Sequence, residues 1–364
     1  MKIKEIVSAL ERFAPLPLQD GFDNAGLQIG LTEAETTGAL LCLDVTESVI
    51  DEAISLGYNL VISHHPLIFK GYKSITGKDY VECCILKAIK NDIVIYSAHT
   101  NLDNASGGVN FKIAEKIGLK NVRILSCKED SLLKLVTFVP VEHVEKVRFA
   151  LFNAGCGNIG NYDSCSYNLE GEGTFRAQEE THPFCGEIGE LHKEKEIRIE
   201  TILPFYKKSA VMRALIAAHP YEEPAFDFYP LKNSWAQAGA GVIGELESPE
   251  TELDFLKRIK KTFEAGCIKH NKLTGRLISK VALCGGAGAF LLSDAINYNA
   301  DAFITGEIRY HDYFGHENDI LMTEIGHYES EQYTKEIFYS LLKGLFPNFA
   351  IQLSKINTNP IKYL

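Results

Sequence analysis

The chain has 364 residues, 46% hydrophobic and 23% charged, the composition of an ordinary globular protein of two or three domains. Its 37 basic and 48 acidic side chains leave a formal charge of −11, which argues against a general nucleic-acid binder, because phosphate contacts need clustered Lys and Arg. No apolar run approaches the roughly 20 residues that span a bilayer, and nine cysteines without a C-x-x-C pair argue for reduced thiols in a cytoplasmic protein, against both a disulfide framework and a thiolate zinc site.

In chain order, Ile3–Phe13 reads as an amphipathic helix; Glu5, Glu11 and Arg12 inside its apolar pattern distinguish it from a signal peptide. Strand Gly38–Val45, helix Glu47–Leu56, strand Asn59–Ser63, helix Tyr80–Asn91, strand Ile93–Ala98 and helix Val109–Gly118 follow. Such alternation, with near-continuous apolar strands, predicts a parallel or mixed sheet covered on both faces.

The pattern changes near Ser126. Strand Leu133–Pro140, helix Val141–Ala154, strands Cys165–Glu170 and Gly173–Ala177 joined by Gly171, strand Glu196–Leu203, helix Phe205–Ala218 and strand Pro224–Pro230 give the β-α-β-β-α-β order of a ferredoxin-like unit with one extra edge piece. A polar stretch, Asn233–Ala240, ends it. The α/β alternation then resumes with helix Phe255–Phe263, strand Lys280–Cys284, helix Ala289–Tyr298, strands Ala302–Thr305 and Ile320–Ile325, and a long helix His327–Leu345. The expected fold is therefore one discontinuous α/β domain, residues 1–125 and 239–364, interrupted by an α+β insert at 126–238.

Four of these strands run into polar residues: His64 and His65; His99 to Asp103; Gly306 and Glu307; Gly326 and His327. Ligands of open α/β sheets gather at the carboxyl ends of strands. His64 and His65 would face opposite ways in a regular strand, but Pro66 marks the exit from it, and both imidazoles can then turn to one cleft. The bland alternative is one buried and one exposed histidine. His327 and Glu331, four apart at a helix start, share a face, a spacing that any polar helix face also produces. Asp103, in NLDNASGG, serves equally as a cap or turn residue.

Taken together, His64, His65, Asp103, His327 and Glu331 make a nitrogen/oxygen donor set suited to zinc, iron, manganese or cobalt. Five ligands exceed the needs of one open catalytic ion. Two ions roughly 3.5–4 Å apart, bridged by Glu331, would use all five and activate a water. The glycine loop Gly285, Gly286, Gly288 before a helix is either a phosphate cradle, though without the lysine and hydroxyl of a P-loop, or a tight strand-to-helix turn.

The motifs SHHPLIF, SAHTNLD, TGE and IGHYESE, with DNAGLQIG near the start, resemble the Nif-three-like family, often labelled GTP cyclohydrolase type 2 homologue, over nearly the whole chain. AHPYEEPAFDFYP at Ala218–Pro230 resembles the PII-like or CutA-like domain inserted in its longer members. The resemblance implies two divalent metal ions per chain on the same five residues, and a toroidal homohexamer with the sites facing an internal cavity. Two functions are consistent with this. One is a metal-dependent hydrolase of a nucleotide or other phosphorylated small molecule, ring opening of GTP included, with His99 or Glu307 moving protons. The other is a non-enzymatic regulatory or scaffold protein, whose PII-like insert binds a small ligand or partner.

Overall fold

A computed structural model describes residues 1–316 and 318–364. Strands with no polar alternation need cover on both faces, and three such strands build the first sheet. Ala39–Cys42, Leu60–Ser63 and Val94–Ser97 are buried at every position and pair in parallel. Ile351–Leu353 joins in parallel at one edge and Gly26–Ile29 antiparallel at the other. Helices Glu47–Leu56 and Tyr80–Lys90 cover one face, packing Val49, Ile50, Ala53, Val81, Ile85 and Ala88 against Leu40, Val61 and Ile95. Side chains of Thr46 and Asp79 cap the two helices, and Gly57 ends the first in the left-handed region.

The second sheet repeats the plan. Leu277–Cys284, Ala302–Thr305 and Leu321–Glu324 pair in parallel. Lys269–His270 and Trp235–Thr251 flank them in antiparallel pairs, with Lys120–Lys128 beyond at the edge. Leu125, Ile243, Ala282, Phe303, Met322, Leu292 and Ala295 share its core. The expectation of one mixed sheet is thus corrected to two. Local periodicity marks a strand but not its neighbour, so the split between sheets has no signature in the hydropathy pattern.

Both sheets belong to one compact unit, Met1–Ser126 with Gln237–Leu364; Cys127–Ala236 forms the other. The latter contains strand Leu132–Pro140, helix Val144–Asn153, strands Ser166–Arg176 and Leu191–Pro204, helix Lys208–Ala218 and strand Phe226–Leu231. Its four strands form one antiparallel sheet, with Leu132–Pro140 between Leu191–Pro204 and Phe226–Leu231. Leu135, Val139, Val147, Leu151, Ile199, Leu203, Val211 and Leu215 give it a core of its own.

Several expected elements change. Ser166–Arg176 runs unbroken through Gly171, because eleven successive pairs with Leu191–Thr201 hold it extended. The stretch expected to be polar loop opens a 17-residue strand, Trp235–Thr251. The long C-terminal helix is two, His327–Glu331 and Thr334–Leu345; between them Gln332 and Tyr333 donate side-chain hydrogen bonds to the carbonyls of Phe263 and Thr262. No helix among the described residues is long and apolar enough to cross a membrane.

Candidate metal centre

The carboxyl ends of the parallel strands bring the five expected residues together. After Ser63 the chain leaves its strand, and the amides of His64 and His65 both donate to the Leu43 carbonyl, at 3.1 and 3.0 Å. That turn sets the two rings side by side, centroids 4.9 Å apart, instead of on opposite faces. Asp103 ends a one-turn helix, Thr100–Asp103. The turn is fixed by the Asn101 side chain, which accepts from the His99 amide and donates to the Ala14 carbonyl. Gly326, with φ of 99°, starts the helix that carries His327 and Glu331.

Glu331 lies at the middle. Its Oε2 is 3.0 Å from Nε2 of His65 and 3.2 Å from Nε2 of His327. Its Oε1 is 3.7 Å from Nε2 of His64, which is 3.7 Å from Oδ1 of Asp103. Two metal-capable trios result, His65–His327–Glu331 and His64–Asp103–Glu331, with one glutamate oxygen facing each. His64 Nε2 and Asp103 Oδ1 are buried without a hydrogen-bond partner. Buried polar atoms are normally paired, and ligand atoms about 2.0–2.2 Å from one ion stand roughly 3–3.7 Å apart, so this geometry suits a cation. His64, His65 and His99 make a third group.

Each imidazole is held by its other nitrogen, which fixes the ring and aims Nε2 inward. His64 Nδ1 meets the Ala98 carbonyl at 2.8 Å. His65 Nδ1 meets Asp44, His99 Nδ1 meets Asp23 and His327 Nδ1 meets Glu307, each at 2.7 Å. Glu307, expected as a proton carrier, thus sits behind a candidate ligand, where it orients the ring. Sequence reasoning missed Asp44 and Asp23. Asp44 lies two residues beyond strand Ala39–Cys42, so the strand-end rule that found the histidines reaches it too. Asp23 lies inside DNAGLQIG.

The charge balance follows from this packing. Burial disfavours the charged form of His65, but hydrogen bonds to Asp44 and Glu331 outweigh it and lift its pKa to about 10. The same opposition, with Glu331 as main partner, lifts His327 to about 9. Burial and the neighbouring Glu331 charge push Asp103 up to about 8. Burial also works against Glu331 ionising, yet His327, His64 and His65 hold its carboxyl well below the usual range. Asp23, likewise opposed by burial, is drawn down to about 2 by His99 and Thr100.

The Duf34/NIF3 family, described by NGG1p interacting factor 3, matches residues 1–360. The chain belongs to this family. A NIF3 relative from Halalkalibacterium halodurans, named GTP cyclohydrolase 1 type 2 homolog, is 40% identical over 99% of this chain and 98% of its own. One of the same name from Bacillus subtilis is 37% identical, with 99% and 98% covered. The crystal structure of a Bacillus cereus protein related to NIF3 superposes with a TM-score of 0.86 at 37% identity, covering 100% of this chain and 99% of that one.

The glycine loop of this NIF3 chain is the tight turn rather than a phosphate cradle. Its amides are already taken: Gly285 by Asn110, Gly286 by Ser330 and Gly288 by Thr305, at 2.9, 3.0 and 2.9 Å. What the loop supplies is room. A Cβ on Gly286, whose φ is 60°, would stand 2.5 Å from Glu331 Oε1. Gly286→Ala should therefore push the carboxylate aside and lower bound metal, besides costing roughly 1–2 kcal/mol for the left-handed backbone. Elemental analysis beside a denaturant titration checks this; full metal content would show that Glu331 tolerates displacement.

Proposed function

We propose that the chain binds two divalent metal ions and acts as a metal-dependent hydrolase of a nucleotide or other phosphorylated small molecule. The observation that carries this reading is the shared position of Glu331, one oxygen toward each trio. His65 and His327 would hold one ion, His64 and Asp103 the other, and Glu331 both. The donor set suits zinc, with iron, manganese or cobalt as alternatives. Bound there, the ions would supply Lewis acidity and activation of water. The substrate class leans on the name of the relatives, GTP cyclohydrolase 1 type 2 homolog.

The chain's own contribution to turnover is His99. Its ring centroid lies 5.3 and 5.5 Å from those of His64 and His65, and neither trio needs it. Asp23 fixes its Nδ1 side, leaving Nε2 free to take or give a proton toward the centre, as a histidine backed by a carboxylate does. Phe69 stands edge-on to it and packs near Phe22, both exposed, so the imidazole lies beside an apolar rim. His99→Ala should keep its metal and lose about 10²–10⁴-fold in turnover, the range for a positioned proton carrier. The measurement pairs elemental analysis with a screen of GTP and related nucleotides. Reduced metal would make His99 a ligand or an orienting residue instead.

A second reading is a regulatory metal protein in which the insert, a PII-like unit of β-α-β-β-α-β order, binds the effector. The insert's separate core favours it. Metal-replete wild-type chain that turns over no nucleotide or phosphoester decides for this reading. The family resemblance also carries a homohexamer, which sedimentation of the metal-loaded chain tests.

A further inference from the structure

The inserted unit holds metal-capable side chains of its own. The ligand atoms of Cys185, His192 and Glu194 all lie within 4.8 Å of one another. His192 and Glu194 are two apart on strand Leu191–Pro204 and so share a face, with Nε2 of His192 2.9 Å from Oε2 of Glu194. Cys185 arrives from the segment before that strand. Beside it, Gly186 has φ of 79°, and a Cβ there would stand 2.8 Å from the His192 ring. Only glycine lets the thiol and the imidazole approach this closely.

The surroundings hold the group in place. Glu222 accepts from the His182 amide at 2.9 Å and ties the cysteine segment down. Tyr221 lies 4.0 Å from the Cys185 sulfur and donates to Glu196 at 2.8 Å. Glu196 follows Glu194 on the same strand face, and its carboxylate lies across Gly173, where a Cβ would be 2.2 Å from it. Phe175 packs at a tilt against both His192 and Tyr221, centroids 5.2 and 6.0 Å apart. The three donors therefore meet over an aromatic wall, half-buried.

An ordinary His–Glu ion pair would explain two of these residues. It does not explain the thiol beside them, reached through a glycine in a conformation that other residues avoid. A thiolate, an imidazole and a carboxylate form a donor set that zinc accepts and that calcium and magnesium do not favour. We propose that Cys185, His192 and Glu194 form a metal site of the inserted unit, taking a zinc-class divalent ion and leaving one coordination position open. The absence of any C-x-x-C spacing hides this site from the sequence, because its three donors come from one loop and one strand.

Cobalt tests the proposal. A thiolate bound to Co²⁺ gives a near-ultraviolet charge-transfer band, and the centre at Glu331 has no sulfur ligand, so the band reports on this site alone. Titrating Co²⁺ into the metal-depleted full-length chain should produce the band, and in Glu331→Gln, where the other centre no longer competes, it should saturate at one equivalent. It should vanish in Cys185→Ser and in His192→Ala and persist in Glu331→Gln and in Cys267→Ser, the last removing an exposed thiol. No band, or a band that survives Cys185→Ser, overturns the proposal. A second measurement needs no variant. Alkylation of Cys185 in the wild-type chain, followed by mass spectrometry, should slow about tenfold or more when Zn²⁺ is added, since a metal-held thiolate is no longer a free nucleophile. An unchanged rate overturns the proposal as well.

Discussion

Glu331→Gln should empty the proposed two-ion centre, where His327→Ala should cost it one ion. Glu331 is the member common to both trios, whereas His327 touches only its own. The amide keeps the volume of the carboxylate but loses its charge and one of its two oxygen ligands. In addition, Glu331 is the anion that faces His64, His65 and His327, so its neutralisation removes the compensation for two cations at once. Elemental analysis should find two ions fewer than wild type in Glu331→Gln and one fewer in His327→Ala, whatever the inserted unit holds. Equal content in the two variants would mean that Glu331 serves a single ion. Circular dichroism separates loss of metal from loss of fold.

Metal uptake should expel protons and strengthen steeply with pH. In the metal-free chain His65 and His327 titrate near about 10 and 9, and Asp103 near about 8. Both histidines carry protons at pH 7, burial and the Glu331 charge bias Asp103 toward its protonated form, and each group must shed its proton to become a ligand. Every proton displaced makes apparent affinity rise about tenfold per pH unit. The rise should be steepest below about 8 and flatten in turn as pH passes each of the three values. Chelator competition at a series of pH values, with proton release followed in weak buffer, checks it. A flat profile would show neutral imidazoles in the free chain.

The stability of the metal-free chain runs the opposite way. The two histidines have folded values above the ordinary 6.5; their contribution is full below about 6.5 and is lost as pH rises through 9 and 10. Asp103 has a raised carboxyl value, so its penalty grows as pH climbs from 3.8 through 8. The metal-free chain thus weakens toward alkaline pH, where the ions bind best. The gap between metal-free and loaded melting temperatures should widen as pH rises.

Much of this was legible in the sequence, for identifiable reasons. The helices Ile3–Phe13 and Glu47–Leu56 follow from apolar periodicity and, for the second, from Thr46 and Gly57 at its ends. The parallel strands follow from their unbroken apolar runs. The convergence of His64, His65, Asp103, His327 and Glu331 follows from the strand-end rule applied to polar residues. What escaped was information held between elements. Gly26–Ile29, Lys120–Lys128 and Ile351–Leu353 lie at or near sheet edges, where half-satisfied pairing leaves little pattern. Asp23 and Asp44 look like turn residues until the histidines they hold are in view. Glu307 looks like a free acid until His327 is placed against it.

The bond between His65 and Glu331 joins residues 266 positions apart, and this sets a timetable for the newborn protein. A ribosome releases His64, His65, His99 and Asp103 early, then the whole insert, and only then the glutamate that completes the set. The first sheet waits longer still, for residues 351–353 to add its outer strand. Ions at the proposed centre would therefore load only once Glu331 has emerged, and a chain broken off before residue 327 would lack two of the five donors. On the proposed reading, metal content would separate chains that carry Glu331 from those interrupted before it.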